Sequence, residues 1–255
     1  MKTIMHISDL HFGTETKGML ELIMHDVKSL KPDLIVASGD FTQRAFAHQF
    51  KKADHFLKLF EGKNILCVPG NHDISYINPF ERFFNTFKKY KKYIHHDINP
   101  KINSDKLAIL GINTVSPFKS IVGTVTEDQL NTIIHFFQNL PADTVRIVVM
   151  HHNLIHSRRH KIISNAEQLI HTMAFVKVNI ILSGHLHYAC FEQIRRDYFQ
   201  HNMYVVTAGT AVSKRVRRGQ NSYNIVSINS DHFKITVREY DKGQFITRTE
   251  KHFPL

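Results

Sequence analysis

Six segments that read as β-strands are each followed at once by a glycine or by a side chain able to bind a metal ion. Asp9 and His11 follow the first, Gly39-Asp40 the second and Gly70-Asn71-His72-Asp73 the third. His151-His152, Gly184-His185-Leu186-His187 and Gly209-Thr210 close later ones. The strand signals are short β-branched runs at Thr3–Ser8, Asp33–Ser38, Asn64–Val68, Leu107–Asn113, Val145–Met150 and Val178–Ser183, with Met203–Thr207 leading into Gly209. Between them lie patterns of helical period at Gly18–Leu30, Arg44–Phe60, Pro79–Tyr93 and Glu127–Asn139. This alternation predicts an α/β layered domain. In open α/β sheets the loops at the carboxyl ends of parallel strands converge on one crevice, so residues remote in sequence can share a site.

The helix signals carry their own punctuation. Thr126 with Gln129 forms a capping box, and Leu130, Ile133, Ile134 and Phe137 make an apolar stripe that reads as core. Phe80, Phe83, Phe84 and Phe87 recur at helical spacing and are expected to pack a helix. From Met203 onward, Met203–Thr207, Ser222–Ile228, Phe233–Tyr240 and Gln244–Arg248 read as a meander that would complete a second sheet behind the first. No repeat or long linker interrupts the chain, so residues 1–255 are expected to form one domain.

The donor set defines a chemistry. Asp9, His11, Asp40, Asn71, His151, His185 and His187 supply carboxylate, imidazole and amide oxygen without thiolate, a combination that suits divalent Mn, Fe or Zn. With only Cys67 and Cys190 present, a disulfide scaffold and Cys-based zinc or iron–sulfur sites are excluded. Asp9-x-His11 and His185-x-His187 are each expected to put two donors on one side of an extended segment. Seven donors are too many for one tetrahedral ion; two ions sharing a bridging carboxylate account for them, with Asp40 as the natural bridge.

The ordered series Asp9-x-His11, Gly39-Asp40, Gly70-Asn71-His72-Asp73, His151 and Gly184-His185-x-His187 resembles the calcineurin-like metallophosphoesterase superfamily. The neighbourhoods Ile7-Ser8-Asp9-Leu10-His11 and Gly39-Asp40-Phe41-Thr42-Gln43 are similar to its bacterial 3′,5′-cyclic-nucleotide phosphodiesterase branch. The resemblance implies a four-layer αββα sandwich of two mixed sheets. It implies one ion on Asp9, His11, Asp40 and His187, and a second on Asp40, Asn71, His151 and His185. At His151-His152 either imidazole could be the ligand, since strand alternation lets only one point inward; matching Val148-Val149-Met150 to the family's strand favours His151. Paired ions, Mn and/or Fe with Zn as the substitute, would lower the pKa of a shared water, whose hydroxide attacks phosphorus in line. His72 would then protonate the departing oxygen, and Asp73 would hold the other imidazole nitrogen.

The leading expectation is therefore a phosphodiesterase acting on a small phosphorylated substrate, a 3′,5′-cyclic nucleotide. A phosphomonoesterase, a pyrophosphatase of the lipid A precursor UDP-2,3-diacylglucosamine and a catalytically inactive scaffold are the alternatives. Arg44, Arg215 and Arg217 are candidate phosphate-binding residues. Lys+Arg 33 against Asp+Glu 22 gives a net charge of +11, which favours anionic partners. Lys88, Lys89, Lys91 and Lys92 form either a solvated face or a basic surface that touches an anionic membrane. A chain of this length leaves little room for a DNA-binding region, so nucleic acid is disfavoured. The acid at position 9 interrupts any signal-type apolar core, which makes the cytoplasm the expected compartment. Isolated histidines such as His25, His48, His55, His135, His156, His171 and His201 read as structural.

Overall fold

Among the described residues the β-branched runs form twelve strands: β1 (Lys2–Ile7), β2 (Leu34–Ala37), β3 (Asn64–Cys67), β4 (Lys101–Ser104), β5 (Leu107–Gly111), β6 (Val145–Val149), β7 (Ile180–Ser183), β8 (Cys190–Ile194), β9 (Met203–Thr207), β10 (Ser222–Ile228), β11 (His232–Asp241) and β12 (Gln244–Pro254). The computed structural model describes residues 1–104, 106–154, 161–195 and 201–255; His156 lies outside them. One sheet runs β12-β11-β10-β1-β2-β3 and the other β4-β5-β6-β7-β9-β8. In the first, β1, β2 and β3 are parallel and β10 to β12 antiparallel. In the second, β5, β6, β7 and β9 are parallel, with β4 and β8 as antiparallel edges.

Strand alternation sorts the side chains into layers. On β1, Ile4 faces the other sheet, where it packs with Val36, Ile109, Ile147, Leu182 and Val226, whereas Met5 and Ile7 face the helices. Helices α1 (Met19–Leu30) and α2 (Ala47–Lys58) cover the outer side of the first sheet through Ile23, Val27, Phe50 and Phe56. After α3 (Pro79–Phe84) and α4 (Lys88–Tyr93), α5 (Glu127–Phe137) and α6 (Ala166–Phe175) cover the second sheet through Ile133, Phe137, Leu169 and Met173. The result is the four-layer αββα sandwich of two mixed sheets. The Thr126 hydroxyl accepts from the Gln129 backbone N–H and the Gln129 side-chain Oε1 from the Thr126 N–H, so the capping box starts α5 as expected. Among the described residues no helix is long and apolar enough to cross a membrane.

Three expectations are corrected. The C-terminal meander is divided: β9 joins the second sheet, and β10 to β12 extend the first because β10 pairs with β1, Met5 opposite Ile225. Alternation identifies a strand but not its neighbour. The expected helix Pro79–Tyr93 breaks into α3 and α4 at Asn85, whose φ of −137° and ψ of 38° leave the helix. Phe80, Phe83 and Phe84 consequently stand exposed rather than packed, and only Phe87 lies against the core. Finally, α2 starts after Arg44, because Ala45 adopts a φ of +54°.

Candidate metal centre

Every donor expected from the sequence arrives on a loop at the carboxyl end of a strand. β1 delivers Asp9 and His11, β2 Asp40, and β3 Asn71 on a single 3₁₀ turn (Asn71–Asp73); β6 delivers His151, and β7 His185 and His187. The Asp9-x-His11 and His185-x-His187 segments are not extended. Asp9, His11, Asp40, His185 and His187 all have positive φ, between 44° and 70°, a conformation that costs an L-residue about 1–2 kcal/mol. The chain therefore curls at each donor, and the intervening Leu10 and Leu186 are buried. Such strain persists only where surrounding structure over-determines it, and it concentrates at functional sites.

Glycine allows the loops to approach. A Cβ on Gly70 would lie 2.1 Å from the Asp40 nitrogen, and one on Gly184 would lie 1.9 Å from the Ser8 hydroxyl and 2.7 Å from the Asp9 carboxylate. No side chain fits in either place.

The donors form two adjoining groups. In the first, His187 Nε2 lies 3.2 Å and His11 Nε2 3.7 Å from Asp9 Oδ1, and the two imidazole nitrogens are 3.2 Å apart. In the second, Asn71 Oδ1 lies 3.1 Å from both His151 Nε2 and His185 Nδ1. Asp40 Oδ2 stands between them, 3.5 Å from His11 Nε2 and 3.5 Å from His151 Nε2. One atom from each of Asp9, His11, Asp40 and His187 fits within 4.8 Å of all the others, spacing that could hold a metal ion. Asp9 Oδ1 and Asp40 Oδ2 are buried without a hydrogen-bond partner. Two such anionic oxygens are costly unless a cation compensates them, so the residues present fit divalent metal.

The opposite edges of these side chains are fixed by the protein. His151 Nδ1 donates to the Ser38 carbonyl at 2.8 Å and His187 Nδ1 to the Arg215 carbonyl at 2.7 Å, leaving each Nε2 lone pair directed at the cluster. Asn71 donates its amide to the Tyr76 hydroxyl, which aims its carbonyl oxygen inward. His152 is turned away, with Nδ1 against Thr114 Oγ1 at 2.7 Å and Nε2 against the Ser120 carbonyl at 2.8 Å.

The electrostatics agree with this arrangement. Burial raises Asp9 and Asp40, but the surrounding imidazoles outweigh it and hold both carboxyls well below the usual range. Burial keeps His11 neutral down to about 4 and holds His185 well below the usual imidazole range. His151 is the exception: opposed by burial, it is lifted to about 9 by Asp40, so its Nε2 carries a proton that a cation bound there would have to replace.

His72 sits beside the cluster, half-buried, its ring 4.8 Å from that of His11. Its Nδ1 donates to the Gln43 carbonyl at 2.8 Å. Asp73 does not hold this imidazole. Its carboxylate turns back to accept from the N–H groups of Gly70, Phe41 and Thr42 and from the Thr42 hydroxyl, because the 3₁₀ turn points it into the loop after β2. Burial and the nearby Asp40 push its carboxyl up to about 7, against those N–H groups. Arg215 reaches the site mouth, with Nη1 3.0 Å from His72 Nε2, 3.4 Å from His11 Nδ1 and 3.2 Å from Gln43 Oε1. Arg217 is half-buried two residues farther along the same loop. Arg44 stands exposed, and its side chain meets none of the cluster because the turn at Ala45 carries it outward. Gln43 and Tyr76, which brace His72 and Asn71, carry no sequence signal of their own.

A double-sheet sandwich with buried carboxylates and imidazoles at its strand ends has the architecture of a metallophosphoesterase, with a cluster that could hold metal. The chain belongs to the calcineurin-like phosphoesterase family, whose model matches residues 2–189. Over 103 residues it is 32% identical to a UDP-2,3-diacylglucosamine pyrophosphatase, LpxG, of Chlamydia trachomatis, and 34% identical to that of Chlamydia muridarum. Each match spans 40% of this chain and 26% of the relative's length. A purple acid phosphatase from yellow lupin superposes with a TM-score of 0.72 at 11% identity, covering 98% of this chain and 53% of the other. A dimetal phosphatase from Danio rerio superposes with a TM-score of 0.70 at 11% identity, covering 97% and 99%. At such identities these superpositions speak for the fold alone.

Proposed function

We propose that this chain is a dinuclear metal-dependent phosphoesterase that cleaves a nucleotide-linked pyrophosphate or phosphodiester. The observation that carries the reading is Asp40 Oδ2, a buried oxygen without a hydrogen-bond partner placed equally between the two donor groups. In this reading one ion rests on Asp9, His11, Asp40 and His187, and the other on Asp40, Asn71, His151 and His185. His151 rather than His152 is the ligand, since both nitrogens of His152 are engaged elsewhere. Ions of the Mn or Fe type held there would polarise phosphoryl oxygens and acidify water.

The chain's own groups do the rest. Asp9 and Asp40 remain anionic and bind without a proton having to leave, and the Ser38 and Arg215 carbonyls fix the tautomers of His151 and His187. His72, with Nδ1 tied to Gln43, holds Nε2 at the mouth as an acceptor from Arg215; in this reading a substrate phosphate draws the guanidinium away, and Nε2 then takes up the proton that it gives to the departing oxygen. Arg215 supplies a guanidinium beside that atom.

A guanidinium outside the metal groups suits a substrate with a second phosphate better than one with a single cyclic phosphate. Together with the partial match to the two pyrophosphatases, this favours UDP-2,3-diacylglucosamine or a similar nucleotide lipid over a 3′,5′-cyclic nucleotide. The test is a panel of that lipid, cyclic AMP, cyclic GMP and phosphomonoesters with manganese-loaded protein. Turnover of the pyrophosphate above the others is expected; preferential hydrolysis of a cyclic nucleotide would overturn the substrate choice, and no turnover of any ester would leave a scaffold.

A further inference from the structure

Among the described residues, seven of the twelve exposed large apolar side chains lie on one face. Tyr76, Ile77, Phe80, Phe83 and Phe84 come from α3 and the segment before it, and Phe118 and Ile121 from the loop after β5. Phe80, Phe84 and Phe118 are 65%, 76% and 82% exposed, so their rings stand in solvent, while Tyr76, Phe118 and Ile121 also form one wall of an open cleft of about 1100 Å³. The rings associate, Phe83 with Phe118 at 5.2 Å and Phe80 with Phe84 at 5.1 Å between centroids. Monomeric surfaces rarely gather apolar groups in this way unless something binds there.

The face is preformed. Arg82 donates to the Pro117 carbonyl, the Ser75 carbonyl and the Ser120 hydroxyl at 2.8–3.2 Å and stacks over Tyr76, joining the two segments. Its flank is cationic. Lys119 is exposed within the second segment, Lys88, Lys91 and Lys92 are exposed on α4, and the one acid of α3, Glu81, is paired with Lys89 at 2.7 Å.

We infer that this face is a docking surface for an anionic lipid bilayer, the aromatic rings entering the headgroup region and the lysines meeting lipid phosphates. Aromatic side chains protruding above a rim of lysines are the combination that partitions into a charged interface. A second copy of the chain is disfavoured, because two such faces would bring like charges together. The inference stands whichever ester the metal centre cleaves, since lipid binding is read without turnover.

The test is co-sedimentation of the full chain with phosphatidylcholine vesicles, with and without phosphatidylglycerol, and with the Phe80→Ser/Phe84→Ser/Phe118→Ser variant. Wild type is expected to sediment with the anionic vesicles and to be released by salt. The variant should bind at least about tenfold more weakly while hydrolysing bis(p-nitrophenyl) phosphate as before. A second measurement covers a variant that fails to fold. The chain has no tryptophan, so Phe84→Trp gives a single reporter whose emission should shift to the blue on adding anionic vesicles. Wild type remaining in the supernatant, equal sedimentation of the triple variant, or no emission shift would overturn the inference. So would a wild-type dimer that the triple variant splits.

Discussion

Replacing Gly70 by alanine probes how closely the two halves of the donor set depend on each other. Gly70 has an extended backbone, φ −108° and ψ 173°, that any residue tolerates, so the substitution introduces no backbone strain and only a methyl group. That methyl carbon would lie 2.1 Å from the Asp40 nitrogen and 2.2 Å from Asp40 Oδ1, where ordinary contact begins near 3.4 Å. Asp40 must retreat by more than an ångström, with its hydrogen bond from the His72 N–H and its place between the donor groups. Overpacking costs about 1–3 kcal/mol and the lost charged hydrogen bond about 1.5–3. A chain of this size should therefore lose roughly 10 °C in Tm. A displacement of this size at a reacting centre costs about 10² in rate. The assay is metal content by mass spectrometry after gel filtration, thermal melting, and turnover of bis(p-nitrophenyl) phosphate. Gly62→Ala is the control, since a Cβ there meets open space and only its φ of +80° is strained; it should lose stability yet keep metal and turnover. Full metal content and parental turnover in Gly70→Ala would refute the geometric argument.

His72→Ala should retain both ions, because no donor pair depends on its imidazole, while turnover falls by about 10²–10⁴; metal analysis showing a depleted centre would contradict its assignment to the departing oxygen. Arg215→Ala preserves the backbone carbonyl that orients His187, so metal content should hold, while KM for a pyrophosphate rises by about tenfold or more; an equal rise for a phosphate monoester would remove the second-phosphate argument. His6 predicts a pH dependence of stability. Burial holds its imidazole neutral down to about 3, against 6.5 in the unfolded chain, so the unfolded state takes up the proton first and stability falls as pH drops from 6.5 towards 3. The loss approaches about 1.4 kcal/mol per pH unit, and denaturant melts of His6→Gln should show a shallower slope; identical slopes would exclude His6 as the source.

Much of the centre was legible because strand ends in parallel sheets carry donors to one place, and Asp9, His11, Asp40, Asn71, His151, His185 and His187 all meet there. The mode of convergence was not legible. Alternation implied extended segments, whereas positive φ at five donors turns the chain at each one. Asp73 illustrates the same limit: adjacency to His72 suggested a partnership, but a 3₁₀ turn rotates neighbouring side chains apart. Arg44 and Arg215 looked alike as cations near a motif, and only the turn at Ala45 separates the one outside from the one at the mouth. The Phe spacing at 80–87 misled because periodicity reports a helix face without reporting whether anything lies opposite it.

Asp9, His11, Asp40 and Asn71 hang from one sheet, and His151, His185 and His187 from the other. The apolar cluster of Ile4, Val36, Ile147 and Leu182, three to five residues before those donors, thus ties the two halves of the centre together. Cavities opened among them would let one sheet slide on the other, and such variants should stay folded yet lose their grip on the ions. In the proposed enzyme, the grip on the ions is therefore a gauge of how tightly the interior is packed.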